Sequence, residues 1–97
     1  MNLRTLFLLL FLELSLILIA NELVHAEIGR FFGIPAKVIW GLDLRTEFDT
    51  LLLSTKPLEI QRVFLEGNIW WDILSNIATF FILSGTTVYL VPKIDRI

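Results

Sequence analysis

Glu13 interrupts an otherwise apolar run, LFLLLFLELSLILIA, over residues 6–20. A charged carboxylate at the centre of a bilayer costs at least a few kcal/mol. Protonation, hydrogen-bond donors or a cation must offset that cost. One chemistry this allows is a proton or ion relay, or a contact to a basic group on another subunit. The plainer chemistry is a neutral carboxyl that bonds hydroxyls of a neighbouring helix and holds the two together. If the chain folds back on itself, Glu13 comes level with Phe81, and Thr79 and Ser84 lie within a turn. Helix gluing is the preferred reading.

Glu22 and His25 stand three residues apart, so both fall on one helix face. Two such Glu-x-x-His pairs and two further carboxylates make a di-iron site in a four-helix bundle. Here His25 is the only histidine. A haem, quinone or metal near His25 and Glu22 would therefore need a partner chain to complete it. The plainer expectation is a headgroup-zone histidine paired with Glu22 or a lipid phosphate, with no metal and no cofactor.

A third group forms a polar stripe near the C-terminus. Asp72, Asn76, Thr79 and Thr86 share one side at a period of 3.6 residues, with Ser75 and Ala78 close by. Small and hydroxylated residues let helices approach and hydrogen-bond in lipid. Glu13, Asn76, Thr79, Ser84 and Thr86 are the expected helix-packing or partner contacts. The sharper alternative has the same stripe lining water in a homo-oligomeric, holin-like pore.

Other chemistries find no support in the residues. There is no cysteine, which excludes disulfides, thiolate ligands and a thiol nucleophile. No glycine-rich phosphate loop occurs, and no nucleophile has a base nearby, so an enzyme is not expected. The Lys and Arg residues total 8, are scattered, and leave a net charge of -2; no nucleic-acid partner is expected.

The elements that must position these residues are set by hydropathy. With 97 residues, 56% of them hydrophobic, the chain is too apolar for a soluble domain of its size. Lipid as the solvent removes the conflict. The expected fold is an all-α membrane protein, with two transmembrane helices in a hairpin joined by a linker with two short amphipathic helices. The first span covers residues 3–30, with Gly33 and Pro35 as stop signals. A cleavable signal peptide competes for this segment, since Val24-His25-Ala26 resembles a cleavage site. The glutamate inside the apolar run and the acidic stretch after it weigh against cleavage.

The second span covers residues 68–91, with Asn68 as N-cap, Asp72 in the first turn and Pro92 at the end. Trp70 and Trp71 at one end and Tyr89 at the other suit an aromatic belt. Trp40, Phe31 and Phe32 are further interface anchors. The linker, residues 34–67, is expected to hold one helix capped by Asp43 and another ending at Gly67. Residues 92–97 form a short polar tail. Arg4, Lys93 and Arg96 flank the spans, so the positive-inside rule puts both termini on the cytoplasmic side of a plasma or organellar inner membrane. Such a pair of helices buries little surface alone. The expected role is a non-catalytic accessory subunit, with the bilayer and other membrane subunits as partners.

Overall fold

The computed structural model describes residues 1–95. Arg96, used above for orientation, lies outside them. The chain is mostly helical. It forms α1 (Leu3–Phe31), a two-stranded antiparallel sheet of β1 (Ala36–Ile39) and β2 (Arg45–Phe48), α2 (Thr50–Ser54) and α3 (Leu58–Leu90). A single 3-10 turn, Val91–Lys93, follows. Both α1 and α3 are long and apolar enough to cross a membrane.

Helix α1 starts on Asn2, whose side chain accepts from the Thr5 N–H at 2.8 Å. It stops at Gly33, which takes φ 71, a conformation that only glycine adopts freely. The Gly33 N–H donates to the Arg30 carbonyl and the Ile34 N–H to that of Gly29, at 3.0 and 2.8 Å. This 5→2 and 6→1 pairing is a Schellman motif, and it satisfies carbonyls that a helix end would otherwise leave bare.

Two expectations for the linker are overturned. No helix starts at Asp43. Arg45 to Phe48 instead alternate exposed and half-buried as a strand, with Thr46 and Phe48 turned inward. The apparent i, i+4 pattern of Leu44, Phe48, Leu51 and Leu52 bridges β2 and α2. Over so few residues, periods of 2 and 3.6 are hard to separate. The cap belongs to Asp49, whose carboxylate accepts from the Leu52 N–H at 3.0 Å and starts α2.

The second expected linker helix is also not separate. It forms the first turns of α3, which passes through Gly67 and Asn68 without a break. Glycine in a helix interior costs only about 1 kcal/mol. That is too little to end a helix whose next turns are bonded across to α1. Asn68 is accordingly not an N-cap: its amide Nδ2 donates to the Phe64 carbonyl one turn back, at 2.9 Å.

Cross-contacts match the start of α1 with the end of α3 and the end of α1 with the start of α3. The Met1 ammonium meets Asp95 at 3.1 Å, and the rings of Phe32 and Phe64 lie 5.8 Å apart. The enclosed core is small: Leu6 is buried within the first apolar run, and the fully enclosed part sits beyond the runs. Ile34 and Phe64 are the fully buried side chains, with Phe48 edge-on to Phe64 at 5.0 Å. Gly29 makes room for this packing: a Cβ there would lie 2.8 Å from the Ile34 carbonyl and 2.9 Å from the Phe48 ring. The principal extents, 62 × 23 × 16 Å, describe a rod about twice as long as the ~30 Å hydrocarbon layer of a bilayer.

Candidate functional site

The last turns of α1 carry Asn21, Glu22, His25 and Gly29 on the side that faces the rest of the chain. Strand β2 lies against them and α3 closes the other side. His25 is buried, at 8% exposure. Its Nδ1 lies 2.5 Å from the Asn68 Oδ1 and its Nε2 lies 2.6 Å from the Asp72 Oδ1. The Asn68 amide is oriented by its Nδ2 bond to the Phe64 carbonyl, which leaves its oxygen for the ring. Both ring nitrogens thus face acceptors. An imidazolium donates to both at once, whereas a neutral ring donates to one. Asn68 and Asp72 are one helical turn apart, so a single face of α3 presents both oxygens.

Glu22 does not pair with His25. The Thr46 hydroxyl lies 2.6 Å from the Glu22 carboxylate and 2.9 Å from the Glu22 carbonyl, so β2 is fastened to α1 there. Arg45 sits between two carboxylates of its own hairpin, Asp43 and Glu47, the latter at 3.0 Å. Glu22, His25, Arg45, Thr46, Phe48, Asn68 and Asp72 line a shallow cavity of about 280 Å³. Both nitrogens of His25 face oxygens of α3, so a metal or haem at either would have to displace Asn68 or Asp72. Among the described residues no group of three His, Cys, Asp or Glu side chains is placed to hold a metal ion.

Deeper along the helices the remaining polar groups separate. The Thr86 hydroxyl donates to the Glu13 Oε1 at 2.9 Å. Glu13 therefore meets Thr86, and not Thr79 or Ser84, because α3 is shifted along α1 relative to the expected level of Phe81. The Ser75 hydroxyl donates to the Asn21 Oδ1 at 2.9 Å. Thr79 turns back to its own helix and donates to the Ser75 carbonyl at 2.6 Å. Ser15 and Thr87 do the same, to Phe11 and Leu83. Asn76 is exposed and points away from α1's contacts, and Ser84 is half-buried beside Leu83. The expected stripe is thus divided, with Asp72, Ser75 and Thr86 bonded to α1 and Asn76 outside.

The aromatic anchors divide as well. Trp40 and Trp70 are each 61% exposed, and Tyr89 is exposed with the Lys93 ammonium 4.4 Å above its ring. Trp71 differs: it is half-buried, and its indole nitrogen has no hydrogen-bond partner among the described residues.

Reasoning from sequence missed Asn68 and Asp72 as partners of His25, and Thr46 as the partner of Glu22. A signal for the first was present: Asn68 and Asp72 are polar residues one turn apart, opposite His25 if the chain folds back. No family model, curated protein or solved structure matches this chain. The reading of function therefore rests on these residues.

Proposed function

We propose that this chain is a small, non-catalytic, two-pass integral membrane protein that serves as an accessory subunit of a larger membrane complex, for example an energy-transducing or transport assembly. Its helices form a transmembrane hairpin with both termini on the cytoplasmic side of a plasma or organellar inner membrane. The observation that carries this reading is the inverted distribution of side chains along α1 and α3. Phe7, Leu8, Phe11, Leu12, Leu16, Phe80, Phe81 and Val88 are all exposed. Glu13, Asn21, Ser75 and Thr86 instead turn inward and hydrogen-bond to one another. Ser15, Thr79 and Thr87 satisfy their hydroxyls on their own helices. Lipid imposes this pattern, since it offers apolar surface a good solvent and polar groups none.

The accessory role is supported by how little the two helices enclose between them. Asn76 is exposed and so is a polar side chain available to a neighbour's helix. A pore is less well supported, because Asp72, Ser75 and Thr86 are already bonded to α1 and are not available to line water. A ligand-holding role is less well supported too, because both ring nitrogens of His25 face oxygens of α3.

The test is extraction followed by native purification. The chain should stay in the membrane pellet after carbonate treatment. It should then co-purify in mild detergent with unrelated membrane proteins at fixed ratio, and Asn76→Leu should weaken that association. A single species at a multiple of the chain mass, with ion leakage in vesicles, would refute the accessory role in favour of a pore.

A further inference from the structure

Near the chain termini α1 and α3 leave a groove between them of about 1030 Å³. Phe7, Leu10, Phe11 and Leu14 form one wall; Leu83, Ser84, Thr87 and Val88 form the other. The lining is almost wholly apolar. Arg4 stands at the mouth. At 1.5 Å per residue, the groove runs about 15 Å from Arg4 to Leu14. That is the depth of one leaflet, half of a ~30 Å hydrocarbon layer. It stops beside the Glu13–Thr86 hydrogen bond.

We infer that this groove is a binding site for one anionic phospholipid, an acyl chain lying between the helices and the phosphate on Arg4. The inference rests on the membrane reading above. Charge complementarity identifies the headgroup. The Met1 ammonium is engaged by Asp95 and by the Lys93 carbonyl, at 3.1 and 3.3 Å. Lys93 lies over Tyr89. Arg4 makes no ion pair among the described residues, and of the cations at this end it is the one that lines the groove. A guanidinium binds phosphate through parallel N–H donors. Length identifies the tail. A partner helix would demand a seam along the whole span, whereas an acyl chain ends at the midplane, as this groove does. On the α3 wall the small Ser84 and Thr87 stand between Leu83 and Val88, which leaves space opposite the Phe and Leu side chains of α1.

The experiment uses the full chain in mild detergent. Native mass spectrometry is run with equal amounts of phosphatidylglycerol and phosphatidylcholine, and carbonate extraction is run in parallel. One phosphatidylglycerol per chain should be retained in preference to phosphatidylcholine. Arg4→Gln should lower that retention about 5-fold, the attraction of one basic residue to an anionic headgroup. Ser84→Trp keeps Arg4 but fills the groove, and should lower retention of both lipids. Equal retention of the two lipids by the unaltered chain would overturn the proposal. So would an Arg4→Gln variant with unchanged selectivity, or a second protein seated in the groove in place of lipid. Loss of selectivity with the chain still in the carbonate pellet defeats the groove alone; release of the chain by carbonate defeats the membrane reading with it.

Discussion

Where α1 meets the hairpin, Phe64 and Ile34 are fully enclosed, and His25, Glu22, Thr46, Asn68 and Asp72 are hydrogen-bonded across α1, β2 and α3. Toward the termini Leu6 is buried, but Phe7, Phe11, Phe80 and Val88 lie open, and the Thr86–Glu13 hydrogen bond joins the helices. If α1 and α3 span a bilayer as proposed, the difference follows the solvent on each side. Outside the hydrocarbon layer, water would drive apolar side chains together into a compact cluster over Gly29. Within it lipid would compete on equal terms with protein for apolar surface, leaving polar contacts and close packing to hold the helices together. The hairpin end is therefore the clamp of the molecule. The terminal end leaves most of its apolar side chains exposed.

That contrast can be broken first at His25. His25→Ala removes the ring that bridges Asn68 and Asp72 and should cost about 2–3 kcal/mol. Unfolding in detergent followed by helical signal measures it. A loss below about 0.5 kcal/mol, the range of ordinary surface substitutions, would mean the clamp lies elsewhere. Gly29→Leu comes next. Its side chain has no room against the Ile34 carbonyl and the Phe48 ring, and overpacking of this kind costs about 1–3 kcal/mol. The hairpin should lift, and trypsin should cut faster at Lys37 and Arg45 while α1 and α3 stay protected. Unchanged cleavage would show that the hairpin docks without Phe48.

Effects at the other end should be smaller. Thr86→Val removes the hydroxyl that reaches Glu13, and such interhelical bonds in membranes average about 0.6 kcal/mol. If this variant proves as damaging as His25→Ala, the two ends are not built differently. Asp95→Asn should change stability least, with no measurable shift, because the Met1–Asp95 pair is exposed on the Asp95 side and screened by solvent. A clear loss there would mean that the termini are a second clamp.

How much of this was legible follows the range of each interaction. Gly33 and Pro35 mark the end of α1 because a backbone that needs φ 71 leaves a local trace in residue type. Strand β2 left no such trace: RTEF is too short to reveal its period, and it pairs with AKVI across a turn. The break expected at Gly67 was a local preference outweighed by bonds from Asn68 and Asp72 to His25, 43 and 47 residues away. Glu13 was legible as a group that must find a partner. Which hydroxyl it finds depends on how far α3 slides along α1, and repetitive apolar faces specify that weakly.

The amino-acid sequence by itself determined two apolar runs of bilayer length, the polar residues that interrupt them, and the absence of cysteine. These follow from composition and from contacts within a turn or two. Tertiary structure alone decided the register of α3 on α1, the fusion of the second linker helix into α3, the hairpin over Gly29, and the His25 cluster. Each of those depends on side chains brought together from distant parts of the chain, whose combined packing and hydrogen bonds exceed the ~1 kcal/mol local preferences that pointed elsewhere.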